Sequence, residues 1–446
     1  MKRPLALLLA FCLLLSACTV ATGPDAVPSA PAPSDPVQSD PVPSDYVLPD
    51  YSAHKEICEY EETYITALAN LKKLSQGERA LALEVGPADW IDNEWDGEKS
   101  DTWGYDMRSC DVSGEDLSGI EDQNDISFNS DTLWPSAGKL PEGFDPETIL
   151  ELGKDPGLGI RELHDQGITG EGVGIAIIDQ GLYSGHEQYK DNLMLYESFH
   201  TNDGQKAAMH GSALASIAVG KDVGVAPGAK LYYIACDFGH VIGNEYEYDL
   251  SILADSIYRV LEINRNLPQG EKIRVISISF GPSSQRPGYW DLVSAVKAAK
   301  AEGILVLTVQ ASQFYPGFEF LGMCRESLAD PNDPQSYGPA AWLADKQANW
   351  QEDNILVPMG GRTYAGCTGE SDYEWNYEGG MSWAVPWLAG FYALCCQANP
   401  DCTADQFFRV VQDTAVTKLL RESGGQEYCF GRIIDPAAVI KALKDQ

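Results

Sequence analysis

Apolar residues run almost unbroken from 173 to 178, the mark of a strand buried on both faces of a sheet. Helical spacing follows at 210–219, then a strand at 231–235, a helix at about 249–264 and a strand at 273–280. A helix at about 289–301 and a strand at 304–309 continue the alternation. Strand and helix repeated in this order predict an α/β fold on a mainly parallel sheet with helices on both faces, where ligands bind at the carboxyl ends of strands. The last long apolar run, 383–396, reads as a buried helix, and Gly379, Gly380 and Ser382 lead into it. Pro386 is expected in its first turn, where a missing N–H costs little. Ser382 is then expected at a helix N-terminus, beside free backbone N–H groups and the positive end of the helix dipole.

The first 150 residues lack this rhythm. Lys2 and Arg3 precede an apolar run, 5–15, too short to span a bilayer as a mature helix. It ends in Leu15-Ser16-Ala17-Cys18, which resembles the bacterial lipobox. Residues 1–18 are therefore expected to be a lipoprotein signal peptide, with Cys18 lipidated; a plain secretory signal cleaved nearby is the alternative. Several acyl chains, each contributing about 0.8 kcal/mol per buried CH₂, would anchor the chain stably. Residues 19–50 are Pro, Ser, Asp, Ala and Val with almost nothing to bury, which predicts an extended linker. Residues 51–150 form a small acidic region, with helical spacing at 60–74 and turn-rich pieces after it. It carries no catalytic motif, and both a pro-region and a packing extension fit it. Residues 151–446 hold the alternating pattern and form the main domain.

Charge and cysteine usage narrow the partners. A formal charge of −35 argues against nucleic acid, which needs clustered Lys and Arg. Of eleven cysteines, Cys12 leaves with the signal and Cys18 carries the lipid. An odd number remains, so at least one thiol is free or paired between chains, and the lack of any Cys-x-x-Cys pair argues against a zinc ribbon.

Asp179 closes the first strand beside Gln180-Gly181, and His210-Gly211-Ser212 opens the following helix. Singly, each has an ordinary reading: a turn aspartate, a satisfied histidine and, for Ser382, a helix cap. Together they occur in the order Asp, His, Ser, each at a strand or helix terminus beside glycine. That is where distant parts of an α/β sheet converge.

The surrounding blocks resemble those of subtilisin-like serine peptidases (subtilases). Residues 172–182, Gly-Val-Gly-Ile-Ala-Ile-Ile-Asp-Gln-Gly-Leu, with His186, are similar to the family's aspartate motif. Residues 210–212 and 224–232 are similar to its histidine block, and 275–281, Val-Ile-Ser-Ile-Ser-Phe-Gly, to the strand lining its substrate cleft. Residues 380–386, Gly-Met-Ser-Trp-Ala-Val-Pro, resemble the serine motif. The blocks come in family order, from about residue 155 to the C-terminus. The resemblance implies a subtilisin-like three-layer sandwich with a mainly parallel central sheet, plus the small acidic N-terminal region. It also implies a serine endopeptidase acting on peptides or proteins. Ser382 attacks the carbonyl, His210 takes and returns the proton, and Asp179 holds the imidazole's tautomer. Ser279, Phe280 and Gly281 pair with the substrate backbone as an added strand. With the lipobox, the expected location is the cell surface or the extracellular space, lipid-anchored to the membrane.

Departures from the family pattern bear on activity. Met381, Trp383, Ser212-Ala213 and Trp387 replace the usual residues around the triad without removing a member. The family's oxyanion-hole Asn is missing: ungapped alignment brings Ser312 to its place, with the amides of Gln310 and Gln313 nearby. Losing such a donor costs on the order of 10²–10³ in rate. A catalytically weak or inactive subtilase that binds peptides or partner proteins is therefore the alternative. The 220–224 segment is shorter than the calcium loop of many relatives, and Gln188 stands where they carry Asp, so no cofactor is expected, calcium being the one possibility left open. His186-Glu187 lacks the second histidine of a zinc peptidase. Ala384 breaks an α/β-hydrolase elbow, and Gly170, Gly172 and Gly174 precede the strand instead of following it, unlike a dinucleotide fingerprint.

Overall fold

A computed structural model of the chain describes residues 97, 99, 104–199, 207–242, 245–344, 350–421 and 427–445. The expected signal peptide with Cys18, the expected linker and the expected helix at 60–74 lie outside the described residues. In chain order come β1 (Tyr105–Asp106), β2 (Ile126–Asn129), α1 (Pro146–Gly153) and α2 (Ile160–Asp165). The alternating part runs β3 (Gly174–Asp179), β4 (Leu193–Ser198), α3 (Met209–Val219), β5 (Lys230–Ala235), β6 (Gly239–Ile242) and β7 (Glu245–Tyr248). It continues with α4 (Ser251–Asn266), β8 (Ile273–Ile278), α5 (Tyr289–Ala301) and β9 (Leu305–Thr308). Then follow β10 (Phe320–Arg325), β11 (Tyr337–Gly338), α6 (Ala341–Ala344), β12 (Ile355–Gly360), β13 (Arg362–Ala365) and β14 (Tyr373–Asn376). The C-terminal part is α7 (Met381–Ala398), α8 (Ala404–Thr414), β15 (Val416–Arg421), β16 (Glu427–Ile433) and α9 (Pro436–Lys444).

The central sheet has the order β4-β5-β3-β8-β9, and every neighbouring pair is parallel. This is the expected α/β arrangement. All six residues of β3 are buried, as an unbroken apolar run on a central strand requires. Helix α3 packs on α7, and α4 on α5, and both pairs lie against the sheet. Strand β4, at the edge, was not marked by the apolar pattern. A second sheet, β11-β10-β12-β16-β15, is parallel through its middle three strands and antiparallel at both edges. The eight described cysteines are free thiols and seven are buried, so they act as small apolar packing groups. Among the described residues no helix is long and apolar enough to cross a membrane.

Residues from the acidic N-terminal region complete a third sheet, β1-β2-β14-β13. Strand β2 runs antiparallel to β14, with Phe128 opposite Trp375 and Asn129 opposite Glu374. Phe128, Phe144, Met107 and Ile126 close over the Trp375 ring as a separate apolar cluster. Arg108 then reaches from the extension to Glu374 at 2.9 Å while holding Asp106 at 2.7 Å.

Candidate active site

Asp179 is the last residue of β3 and is fully buried; His210 is the second residue of α3. What lets the two meet is Gly211. A Cβ there would come 2.5 Å from the Tyr233 hydroxyl and 2.8 Å from the carbonyl oxygens of Gln180 and Gly181, so only glycine lets α3 start this close to the end of β3. His210 Nδ1 sits 2.6 Å from Asp179 Oδ1, which also accepts the Gln180 N–H at 2.9 Å. His210 Nε2 is buried and has no partner among the described groups. Trp383, one of the departures noted in the sequence, packs edge-on against the imidazole, with ring centroids 5.6 Å apart, and walls it in.

Ser382 is the second residue of α7, as expected of a helix N-terminus. The helix begins at Met381, earlier than its apolar run suggested, because Gly380 supplies the extended N-cap and the Trp383 N–H bonds back to its carbonyl at 2.8 Å. Pro386 therefore falls in the second turn, not the first. There its missing N–H would have bonded the carbonyl of Ser382, four residues back. That freed carbonyl accepts the Ser279 hydroxyl at 2.8 Å instead. The Ser382 hydroxyl in turn leans on the Ser279 carbonyl at 3.4 Å, and no hydrogen bond joins it to His210. The structure thus brings Asp179 and His210 together and sets Ser382 on the helix packed against His210's own, with its Oγ turned toward β8.

The turn before the nucleophile is fixed from outside. Gly379 has a left-handed backbone, φ 57°, and a Cβ there would lie 3.0 Å from Gly360 Cα. Its N–H donates to Asn376 Oδ1 at 2.6 Å, and Asn376 Nδ2 donates to Ser127 Oγ at 2.7 Å. The N-terminal extension therefore reaches the serine turn through one asparagine. Nothing local in the sequence marks Asn376, whereas Pro386 placed four residues after Ser382 is a readable sign that the Ser382 carbonyl needs another donor.

Residues 279–281, the expected substrate strand, follow directly on β8. Strand β8 ends at Ile278, and Phe280 uses its N–H on Ile278 O at 2.8 Å and its carbonyl on Val309 N at 3.3 Å. The Ser279 hydroxyl bonds the Ser382 carbonyl at 2.8 Å, and its own carbonyl takes the Ser382 hydroxyl at 3.4 Å. Beyond β9, Gln313 Nε2 donates to Pro282 O at 2.9 Å and to Gln310 Oε1 at 2.6 Å, so both its N–H groups are spent. The Gln310 amide is thereby held by its oxygen with its NH₂ left over, and a Cβ on Gly281 would lie 3.6 Å from Gln310 Cδ. Ser312 sits half-buried in the short 3-10 turn Ala311–Gln313.

Gln188 ties down the 220–224 loop, which also closes on itself through Gly224 N–H to Gly220 O at 3.0 Å. Its Oε1 accepts from Asp222 N at 2.8 Å and Val223 N at 3.2 Å, and its Nε2 donates to Asp222 Oδ2 and the Tyr373 hydroxyl. A calcium ion needs six to eight oxygens, and this amide turns N–H groups toward the carboxylate such an ion would use. At this loop the Gln188 amide does not fit calcium. A chelator is expected to leave Tm unchanged, which a thermal melt with and without EDTA checks. His186 is structural: it is fully buried with Nε2 on Asp372 O at 2.7 Å, and burial lowers its pKa to about 4.

Residues 170–312 match the Subtilase family (Peptidase_S8). That stretch holds Asp179, His210, Ser279–Gly281, Gln310 and Ser312 and stops short of Gln313 and Ser382. The chain is 25% identical over 186 residues to the major intracellular serine protease of Bacillus subtilis (strain 168), 39% of this chain and 50% of that protein. It is 26% identical over 275 residues to the thermostable alkaline protease of Halalkalibacterium halodurans, 58% of this chain and 66% of that protein. The match thus spans between half and two thirds of these relatives. Similar solved structures are a protease from Pseudoalteromonas arctica, at 20% identity and TM-score 0.45 over 67% of this chain and 98% of that one. The PatG macrocyclase in complex with peptide is another, at 15% identity and TM-score 0.45 over 65% and 96%. The family match and both curated relatives support the subtilase family.

Proposed function

We propose that this subtilase-type chain is a serine endopeptidase in which Ser382 attacks the peptide carbonyl, His210 acts as base and then acid, and Asp179 orients the imidazole. The observation that carries this reading is the 2.6 Å bond between His210 Nδ1 and the buried Asp179, behind an Nε2 that has no partner among the described residues. A proton held on Nδ1 leaves Nε2 as the acceptor, the tautomer that can take the serine proton. The mechanism requires the Ser382 hydroxyl to leave the Ser279 carbonyl for Nε2, a rotation about χ1 between staggered wells. Such bonds are often long in a resting site and tighten with substrate. The substrate is a peptide or protein, entered beside Gly281. A fluorophosphonate probe tests the reading: it should label Ser382 and no other residue, and absence of labelling would favour the weak or inactive peptide binder.

We assign the second oxyanion donor to Gln310, because Gln313 fixes its amide by the oxygen and leaves the NH₂ for a ligand. Gln310→Ala is expected to lower kcat about 10²-fold with little change in KM, since the bond strengthens only in the transition state. Ser312→Ala should keep kcat, and Gln313→Ala should lower it less than Gln310→Ala does. Full kcat in all three moves the donor elsewhere.

Residues 104–150 are read as a permanent packing extension, not a removed pro-region, given their strand in the third sheet and their contact with the serine turn. The lipobox-like Leu15–Cys18 supports a lipid-anchored domain at the outer cell surface, with residues 19–50 as its tether. Mass spectrometry of the mature N-terminus is expected to find lipidated Cys18; an unmodified N-terminus further along the chain excludes the anchor.

A further inference from the structure

Away from the triad, two arginines are buried side by side. Arg325, at the end of β10, and Arg362, which opens β13, are 2% and 4% exposed and line one cavity of about 10 Å³ with Asp155, Tyr337 and Gly361. That is room for a single small body. Arg325 is well supplied with acceptors: Ala329 O at 2.8 Å, Gly361 O at 2.9 Å and Leu152 O at 3.4 Å. Arg362 is not. Its Nη2 has one long contact, 3.4 Å to Val223 O, while its Nε and Nη1 find no acceptor among the described groups.

A buried guanidinium with two unspent N–H groups is costly, because charge taken out of water must be paired and hydrogen-bonded. No carboxylate at the cavity is bonded to Arg362. Asp155 is the one carboxylate in the lining, half-buried, and its oxygens already serve Gly157 N at 2.9 Å and Arg161 at 3.6 Å. Asp330 acts on Arg325 from beyond the lining, and among the described residues no carboxylate bonds Arg362 Nε or Nη1. Burial and the neighbouring Arg325 both push Arg362 down, to about 10, which still keeps it charged at neutral pH. The Tyr337 hydroxyl is engaged with Pro331 O at 2.7 Å and brings no negative charge.

We propose that this cavity is a binding site for one monatomic anion of chloride size, held by Arg362 Nε and Nη1 and neutralising the Arg325–Arg362 pair. The ion would tie the start of the main domain at Asp155 to the turn between β12 and β13. A bound water is the rival occupant, since it also accepts two N–H groups, but it carries no charge.

The test uses the whole chain as produced. Thermal unfolding is followed in sodium chloride and in sodium gluconate at equal ionic strength, gluconate being too large for the cavity. A ligand of the folded state raises Tm progressively with its concentration. Tm is expected to rise by a few degrees in chloride over gluconate, and Arg362→Met to abolish the difference. Should that variant fail to fold, bromide-soaked crystals of the unaltered protein decide: an anomalous peak beside Arg362 Nη1 supports the site. Equal Tm in both salts together with no bromide peak overturns the proposal and leaves water as the occupant.

Discussion

Ser382→Ala is expected to abolish peptide hydrolysis while Tm and the circular dichroism spectrum stay as they were. Removal of a triad nucleophile costs on the order of 10⁶-fold in kcat, since base and orienter then have nothing to activate. The fold should tolerate it for a structural reason. The interaction that fixes the start of α7 runs from the Ser279 hydroxyl to the backbone carbonyl of Ser382, which alanine retains. What alanine loses is the 3.4 Å contact of Oγ with the Ser279 carbonyl, at the long limit of a hydrogen bond. Turnover and probe labelling are measured on protein purified from a protease-deficient host. Turnover equal to the unaltered enzyme would remove Ser382 from the mechanism, and a large drop in Tm would make its role structural.

The parts of this site that were legible in sequence are those written by local pattern. The apolar run of β3 placed Asp179 at a strand end, and His210-Gly211 announced a helix start that glycine alone allows near it. Their 2.6 Å meeting follows from the parallel pairing of β3 with β5 and from the packing of α3. The start of α7 was misjudged because Met381 and Ser382 do not belong to its apolar stripe, yet the extended Gly380 makes them helical. Spacing alone therefore put Pro386 one turn too early. The third sheet was out of reach for another reason: it joins residues 126–129 to 373–376, and a pairing across that separation leaves no periodicity in either segment. The amide pair Gln310–Gln313 was visible only as two candidates, since which glutamine is spent depends on the Pro282 carbonyl.

That long-range pairing sets the last expectation. Arg108→Met should destabilise the protein by about 3–5 kcal/mol, the range for removing one partner of a buried ion pair. Glu374 is fully buried, and burial pushes its carboxyl from 4.5 up to about 7 even with the Arg108 guanidinium 2.9 Å away. A folded-state value above the unfolded one means that the native state binds the proton more tightly. Its contribution to stability is then present below about 4.5 and is lost as pH rises through 7. Without Arg108 the folded value climbs further, so the deficit against the unaltered protein should be largest at pH 8 and should shrink toward pH 5. Urea unfolding at the two pH values reads this directly. Adding Glu374→Gln to the variant should recover much of the loss at pH 8, because no charge then remains to strand. An equal deficit at both pH values, unchanged by the second substitution, would assign the loss to side-chain packing and not to the carboxylate. Because β14 carries Asn376 to the Gly379 N–H, kcat is expected to fall with stability, linking the N-terminal extension to the serine turn it braces.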